Sequence, residues 1–330
     1  MEADICAQER ALRDAACEGE VETMQDLLDT GVNVNAQGGE FGNALQGASA
    51  NGKVEAMLLL MDCGADVNAQ GGKFGNALQA AAYHGNVEAV LILLRNHADV
   101  NAQGGDCGNA LQAAACNGKF EAMLLLLAKG ADVNAQGGKY GTALQTAASQ
   151  GLTEAVKILL EQGACYDEEG GEYGTAMQAA AHEGHVEAIG LLLDHGANDS
   201  LGCGTYGSAL QAASFRGRIK AMRFLLCQGV YVNSQGGEYG TALQAATSQG
   251  HIEAVLLLLH HGADVNVRVE SMATHCRLLH TKATLKLYGC CCTRGRMLMH
   301  KVDTLVTHCR LPPFWVMSKV CASFWIMEQM

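Results

Sequence analysis

The sequence predicts an all-α fold, a solenoid of eight 33-residue helix-turn-helix units with projecting finger loops. Three observations predict it. First, Ala-Leu-Gln or a close variant recurs every 33 residues, starting at Ala44, Ala77, Ala110, Ala143, Ala176, Ala209 and Ala242, with Ala11-Leu12-Arg13 one step earlier. A fixed period without insertions marks a stacked array rather than one closed core. Second, each unit carries two short apolar runs, neither of which can bury its apolar face alone. Third, glycines and amides fill the stretch between one unit's second run and the next unit's first, as a turn requires.

The unit around residues 133–163 shows the elements in order. Residues 133–141 carry three glycines and two amides and read as a finger or turn. Thr142 precedes ALQTAASQ and can cap the first turn of a helix there. Gly151 follows as a left-handed stop. Residues 152–162 read as a second helix, with Ala155, Ile158, Leu159 and Leu160 as its buried face, and Gly163 ends it. The first helix is mostly Ala, so its neighbours can come close; the second carries the Leu bulk.

These residues resemble the ankyrin repeat. TALQ at residues 142–145 stands where that family usually shows Thr-Pro-Leu-His, and QGHIEAVLLLLHHGADVN at 249–266 matches the second half of its unit. The family's proline at the start of helix one is Ala throughout, so the preceding residues must start the helix without that preset angle. Units such as GGEYGTALQAA are also similar to long arrays of filamentous fungi, often attached to NACHT-type receptors; no such nucleotide-binding domain is read here. The resemblance implies a protein-binding scaffold that contacts its partner through finger tips and the exposed surface of helix one.

Three segments follow: a lead-in at 1–10, the array at 11–267 and a non-repeat basic tail at 268–330. Thirteen basic and thirty-one acidic residues precede Arg268, and nine basic and three acidic residues run from there to the end, giving net charges near −18 and +6. An acidic array argues against nucleic acid as partner, because phosphates need a basic face. No stretch reads as a membrane span or signal peptide, so no membrane partner is expected. The fourteen cysteines sit at non-repeating places such as Cys63, Cys107, Cys116 and Cys165, which points to a reducing compartment, cytoplasmic or nuclear.

The tail keeps the ruler: Thr274-His275-Cys276-Arg277-Leu278 returns as Thr307-His308-Cys309-Arg310-Leu311. Spelled in ordinary codons and read from the second nucleotide, GGEYGNALQAA becomes VESMATHCRLL, which is residues 269–279. Shifting the frame back over the rest of the tail yields nearly two more units. The tail therefore reads as frameshifted repeats, one nucleotide having been lost near Val267 and Arg268. Its Cys290-Cys291-Cys292 run is then a shifted Leu-Leu-Leu rather than a zinc site, and no metal or other cofactor is expected. Repeat one is polar enough to act as a cap. The last intact unit has no such cap; its Leu256–Leu259 run implies fraying, self-association or cover by the tail.

Positions that vary between units are the candidates for contact. The finger position is Glu40, Lys73, Asp106, Lys139, Glu172, Thr205 and Glu238, followed by an aromatic that includes Tyr173 and Tyr206, with Cys107 as the exception. At the end of helix one stand Ser149-Gln150, His182-Glu183 and Phe215-Arg216. Units five and six depart most, with Asp167, Glu168 and Glu169 in one finger and Arg216, Arg218, Lys220 and Arg223 beside Phe215. The partner-binding set is therefore Lys139, Ser149, Gln150, Asp167, Glu168, Glu172, Tyr173, His182, Glu183, Thr205, Tyr206, Phe215 and Arg216. Drift of unconstrained positions and intramolecular ion pairs, worth at most roughly 1 kcal/mol each, are the plain alternative. No P-loop, dinucleotide fingerprint or catalytic constellation is present, so the chain reads as a non-enzyme that binds an unidentified protein. The alternatives are a decaying gene product and a metal site in the tail.

Overall fold

A computed structural model describes residues 2–198 and 204–265. Among them are sixteen helices. The first eight are α1 (Glu2–Glu18), α2 (Val21–Asp29), α3 (Ala44–Ala50), α4 (Val54–Asp62), α5 (Ala77–His84), α6 (Val87–Arg95), α7 (Ala110–Cys116) and α8 (Phe120–Ala128). The rest are α9 (Ala143–Gln150), α10 (Thr153–Glu161), α11 (Ala176–Glu183), α12 (Val186–Asp194), α13 (Ala209–Phe215), α14 (Ile219–Cys227), α15 (Ala242–Gln249) and α16 (Ile252–His260). The lead-in is helical, since α1 starts at Glu2 and runs through repeat one's first segment. The chain divides after Glu172 into two compact units.

Each first helix from α3 to α15 starts with a capping box, which replaces the missing proline. In α5 the Gln79 backbone N–H donates to Asn76 Oδ1 (2.9 Å), and the Asn76 N–H donates to Gln79 Oε1 (2.7 Å). Thr142 caps α9 in the same way, and Gly151 closes that helix at φ 69°, a left-handed angle that suits glycine. Ala80, Ala81 and Ala82 of α5 are fully buried. Such small side chains let α5 pack on α3 and α7 more closely than α6 packs on α4 and α8. The second helices contribute larger pairs one turn apart, Met57 and Leu60, Val90 and Leu93, Met123 and Leu126 in the first unit, and Ile189 and Leu192, Met222 and Leu225 in the second. Burying each such side chain contributes roughly 2 kcal/mol.

Glutamine and asparagine join one repeat to the next. Gln79 Nε2 donates to the carbonyls of Ala102 (3.0 Å), Gly104 (3.3 Å) and Gly108 (2.7 Å) in the following finger. Asn68 donates to His97 O (3.1 Å) and accepts from Asp99 N–H (2.8 Å). The recurring aspartates make the expected turn bonds, Asn101 N–H donating to Asp99 Oδ1 (3.0 Å). Within five of the fingers the chain folds back on itself, as where Gly71 N–H donates to Gly75 O (2.6 Å). Consecutive finger tips are laddered, Lys73 N–H donating to Glu40 O and Asp106 N–H to Lys73 O (both 2.9 Å). The approach is close at Gly72 (φ 60°), where a Cβ would lie 2.3 Å from the Phe41 carbonyl oxygen.

Candidate functional site

The same register that builds the core leaves a variable strip in each compact unit. The finger-tip residue, the residue after it and the last two residues of helix one come together because the finger turns back over the helix end. In the first unit Phe41 stacks on Phe74 (6.0 Å between centroids), and Phe74 meets Tyr83 (5.0 Å) and His84 (5.4 Å). Phe74 is buried against Ala50 and Ala80, as a finger-base aromatic should be. The tips pair by charge: Lys73 Nζ lies 3.5 Å from Glu40 and Lys139 Nζ 3.1 Å from Glu172, each lysine also over the ring that follows it. These exposed pairs are worth at most about 1 kcal/mol each.

In the second unit the strip becomes a continuous aromatic cluster. Tyr173, Tyr206 and Tyr239 stack in sequence at 6.3 and 6.4 Å. His182 fits between Tyr173 (4.8 Å) and Tyr206 (4.6 Å), and Phe215 between Tyr206 (5.3 Å) and Tyr239 (4.5 Å). Glu183 gathers polar partners at one edge. It accepts from Tyr173 Oη (3.2 Å) and Arg218 Nη2 (3.1 Å) and lies 2.8 Å from His182 Nδ1, while Arg218 Nε donates to His182 O (3.0 Å). Burial holds the His182 imidazole below its ordinary pKa, and Arg216 and Arg218 push the same way against Glu183. Burial raises the Glu183 carboxyl, but bonds from His182 and Tyr173 and the charge of Arg218 outweigh it, so its pKa is lowered.

The structure brings together Tyr173, His182, Glu183, Tyr206 and Phe215 of the expected contact set. Arg216 is exposed beside this cluster and makes no ion pair among the described residues. Thr205 is exposed at a tip and its carbonyl accepts from Glu238 N–H (2.9 Å). Lys139, Glu172, Asp167, Glu168, Ser149 and Gln150 lie in the first unit. There Gln136 Nε2 donates to Glu168 Oε1 (2.8 Å), Gln145 Nε2 to Glu168 O (2.8 Å), and Gln150 is exposed. Ser149 and His182 are buried, at 4% and 6% exposure. Ser149 donates back along its own helix to Thr146 O (2.8 Å), and His182 is a wedge between the rings of Tyr173 and Tyr206.

Tyr239 and Arg218 belong to this site and were absent from the contact set, although the repeat position of Tyr239 was the signal for it. A cleft of about 620 Å³ at the N-terminal repeats was not foreseen; Arg10, Arg13, Asp14, Glu18 and Glu40 line it with mixed charge. Among the described residues no cluster of three or more His, Cys, Asp or Glu side chains could hold a metal ion. No described helix is long and apolar enough to cross a membrane. The tail readings, both the frameshift and the metal site, fall outside the described residues.

A family model described as ankyrin repeats (3 copies) matches at residues 12–104, 45–137, 78–170, 111–201 and 177–269. The human ASB11 ankyrin repeat domain, known from a crystal structure, is similar at 30% identity and a TM-score of 0.58, over 66% of this chain and 96% of that one. No curated protein sequence matches the chain. Ankyrin repeats generally mediate protein–protein interaction and are typically non-enzymatic. With its period, capped helix pairs, laddered fingers and five family-model matches, the chain belongs to the ankyrin repeat family.

Proposed function

We propose that the chain is a non-catalytic scaffold that binds a protein partner through its finger residues and helix-one ends. The contact centres on Tyr206, Phe215, Arg216 and Tyr239. One observation carries this reading: three of the five clustered rings, Tyr206, Phe215 and Tyr239, remain partly exposed beside an exposed arginine that makes no ion pair among the described residues. Aromatic residues and Arg are the side chains that dominate binding energy at interfaces. The acidic array disfavours a nucleic-acid partner. The likeness of the units to arrays of fungal NACHT-type receptors supports a sensing role for the contact, in cytoplasm or nucleus.

The test uses the full chain as bait and the partner it captures. Phe215→Ala with Arg216→Ala is expected to weaken capture at least about thirtyfold, the loss of a hot-spot pair worth about 2 kcal/mol. Leu124→Gln, at an exposed position on α8, should leave capture unchanged. Unchanged capture by the double variant, or loss of capture in the α8 variant alone, rejects this surface.

A further inference from the structure

The repeat register places a finger residue against a residue nine positions later at the end of helix one. The contact recurs as Phe74–Tyr83 (5.0 Å), Tyr173–His182 (4.8 Å) and Tyr206–Phe215 (5.3 Å) between ring centroids. In one repeat both positions are cysteine. Cys107 follows the finger tip Asp106, and Cys116 is the last residue of α7. The register sets the two thiols at the positions where the rings meet elsewhere, near enough to perturb each other's ionisation, and both are free of any disulfide and partly exposed.

We propose that Cys107 and Cys116 form a reversible dithiol–disulfide site that reacts with low-molecular-weight disulfides such as oxidised glutathione. The geometry that carries it is the side-chain contact made between these two positions in three other repeats; the mutual perturbation of the two thiols agrees with it. The two thiols also differ in role. The Cys107 thiol donates a hydrogen bond to the Cys116 thiolate, which outweighs burial and brings Cys116 down to about 7. Cys116 is therefore the attacking sulfur near neutral pH. Cys107 is pushed far up, chiefly by that same bond and then by burial.

The reaction balances by exchange alone. The Cys116 thiolate attacks one sulfur of the small disulfide, a Cys116 mixed disulfide forms, and a small thiolate leaves and takes up a proton. The negative charge beside Cys107 is then gone, and with it the main cause that holds its proton. Cys107 gives that proton to water and attacks the Cys116 sulfur; the Cys107–Cys116 bond forms and a second small thiolate leaves. Two protein thiols are oxidised and one small disulfide is reduced to two thiols, with no other electron acceptor. The bond ties the base of one finger to the end of its own helix one.

The experiment uses the reduced full chain in a series of oxidised-to-reduced glutathione ratios, followed by alkylation, digestion and mass spectrometry. Cys107 and Cys116 are expected to lose alkylation together, with recovery of a peptide linking them and restoration by reductant. Cys107→Ser should instead accumulate a glutathione adduct at Cys116 with no internal link, because the resolving thiol is missing. Circular dichroism identifies any variant whose helices have melted. Cys107 and Cys116 both alkylated at every ratio overturns the proposal. So does a persistent Cys116 adduct in the unaltered chain, or pairing of either residue with a different cysteine.

Discussion

Burial among Tyr173, Tyr206 and Phe215 disfavours the charged form of His182, so its folded pKa lies below the ordinary value of 6.5. The unfolded chain then binds the proton more readily than the folded one as pH falls through the ordinary histidine range. The stability contributed by His182 is complete above that range and is lost on acidification. Glu183 and His84, whose pKa values are also lowered, act with the same sign, Glu183 in the carboxylate range further down. Urea midpoints are therefore expected to fall from pH 7 to pH 5, and His182→Gln should flatten that slope. A midpoint that rises toward pH 5, or an identical slope in the variant, contradicts the assignment. At this scale the sequence read local roles well. Thr142 as a cap and Gly151 as a stop are decided within one turn, between residues three or four apart. The role of Gln in Ala-Leu-Gln was not legible, because Gln46 finds its partners at Ala69, Gly71 and Gly75, far along the chain. The burial of His182 was hidden for the same reason, its covering rings coming from other elements.

The finger is the element whose shape depends most on backbone freedom. Gly72 and Gly64 both hold positive φ, at 60° and 87°, but only at Gly72 would a side chain strike the neighbouring finger's backbone. Gly64 has open space, and its equivalent in the next repeat is His97, which adopts φ 65°. Gly64→Ala should cost about 1 kcal/mol, the left-handed penalty alone. Gly72→Ala should cost about 3 kcal/mol or more, since the two fingers must separate and strain the ladder. Urea unfolding of the two variants compares them; equal costs would mean that the finger ladder contributes little. The helices themselves were legible from the period and from the alternation of Ala-rich and Leu-rich runs. The capping box was read only in half, because the side-chain return of Gln to the cap residue's own N–H has no composition signal.

In a repeat array stability is close to a sum of unit and neighbour terms, so the two ends need not share the stability of the middle. Repeat one carries α1, a 17-residue helix that continues the lead-in and packs on α2 and α3. In the last described repeat Leu257, Leu258 and Leu259 are buried and Leu256 is partly so. In a chain cut after Val267, amides of α15 and α16 are expected to exchange hydrogen faster than those of α13 and α14. Equal protection would show that the last repeat is self-sufficient. The junctions described are built from one pattern: a Gln reaching three carbonyls and an Asn reaching a carbonyl and an N–H of the next repeat. Because α5 to the next finger and α13 to its own next finger use the same bonds, the repeats behave as interchangeable cassettes. Recombination between their coding segments can delete, add or reorder whole units in frame without designing a new joint. The variable Tyr, Phe, Cys, His and Arg can thus be reshuffled wherever a joint keeps that Gln and Asn.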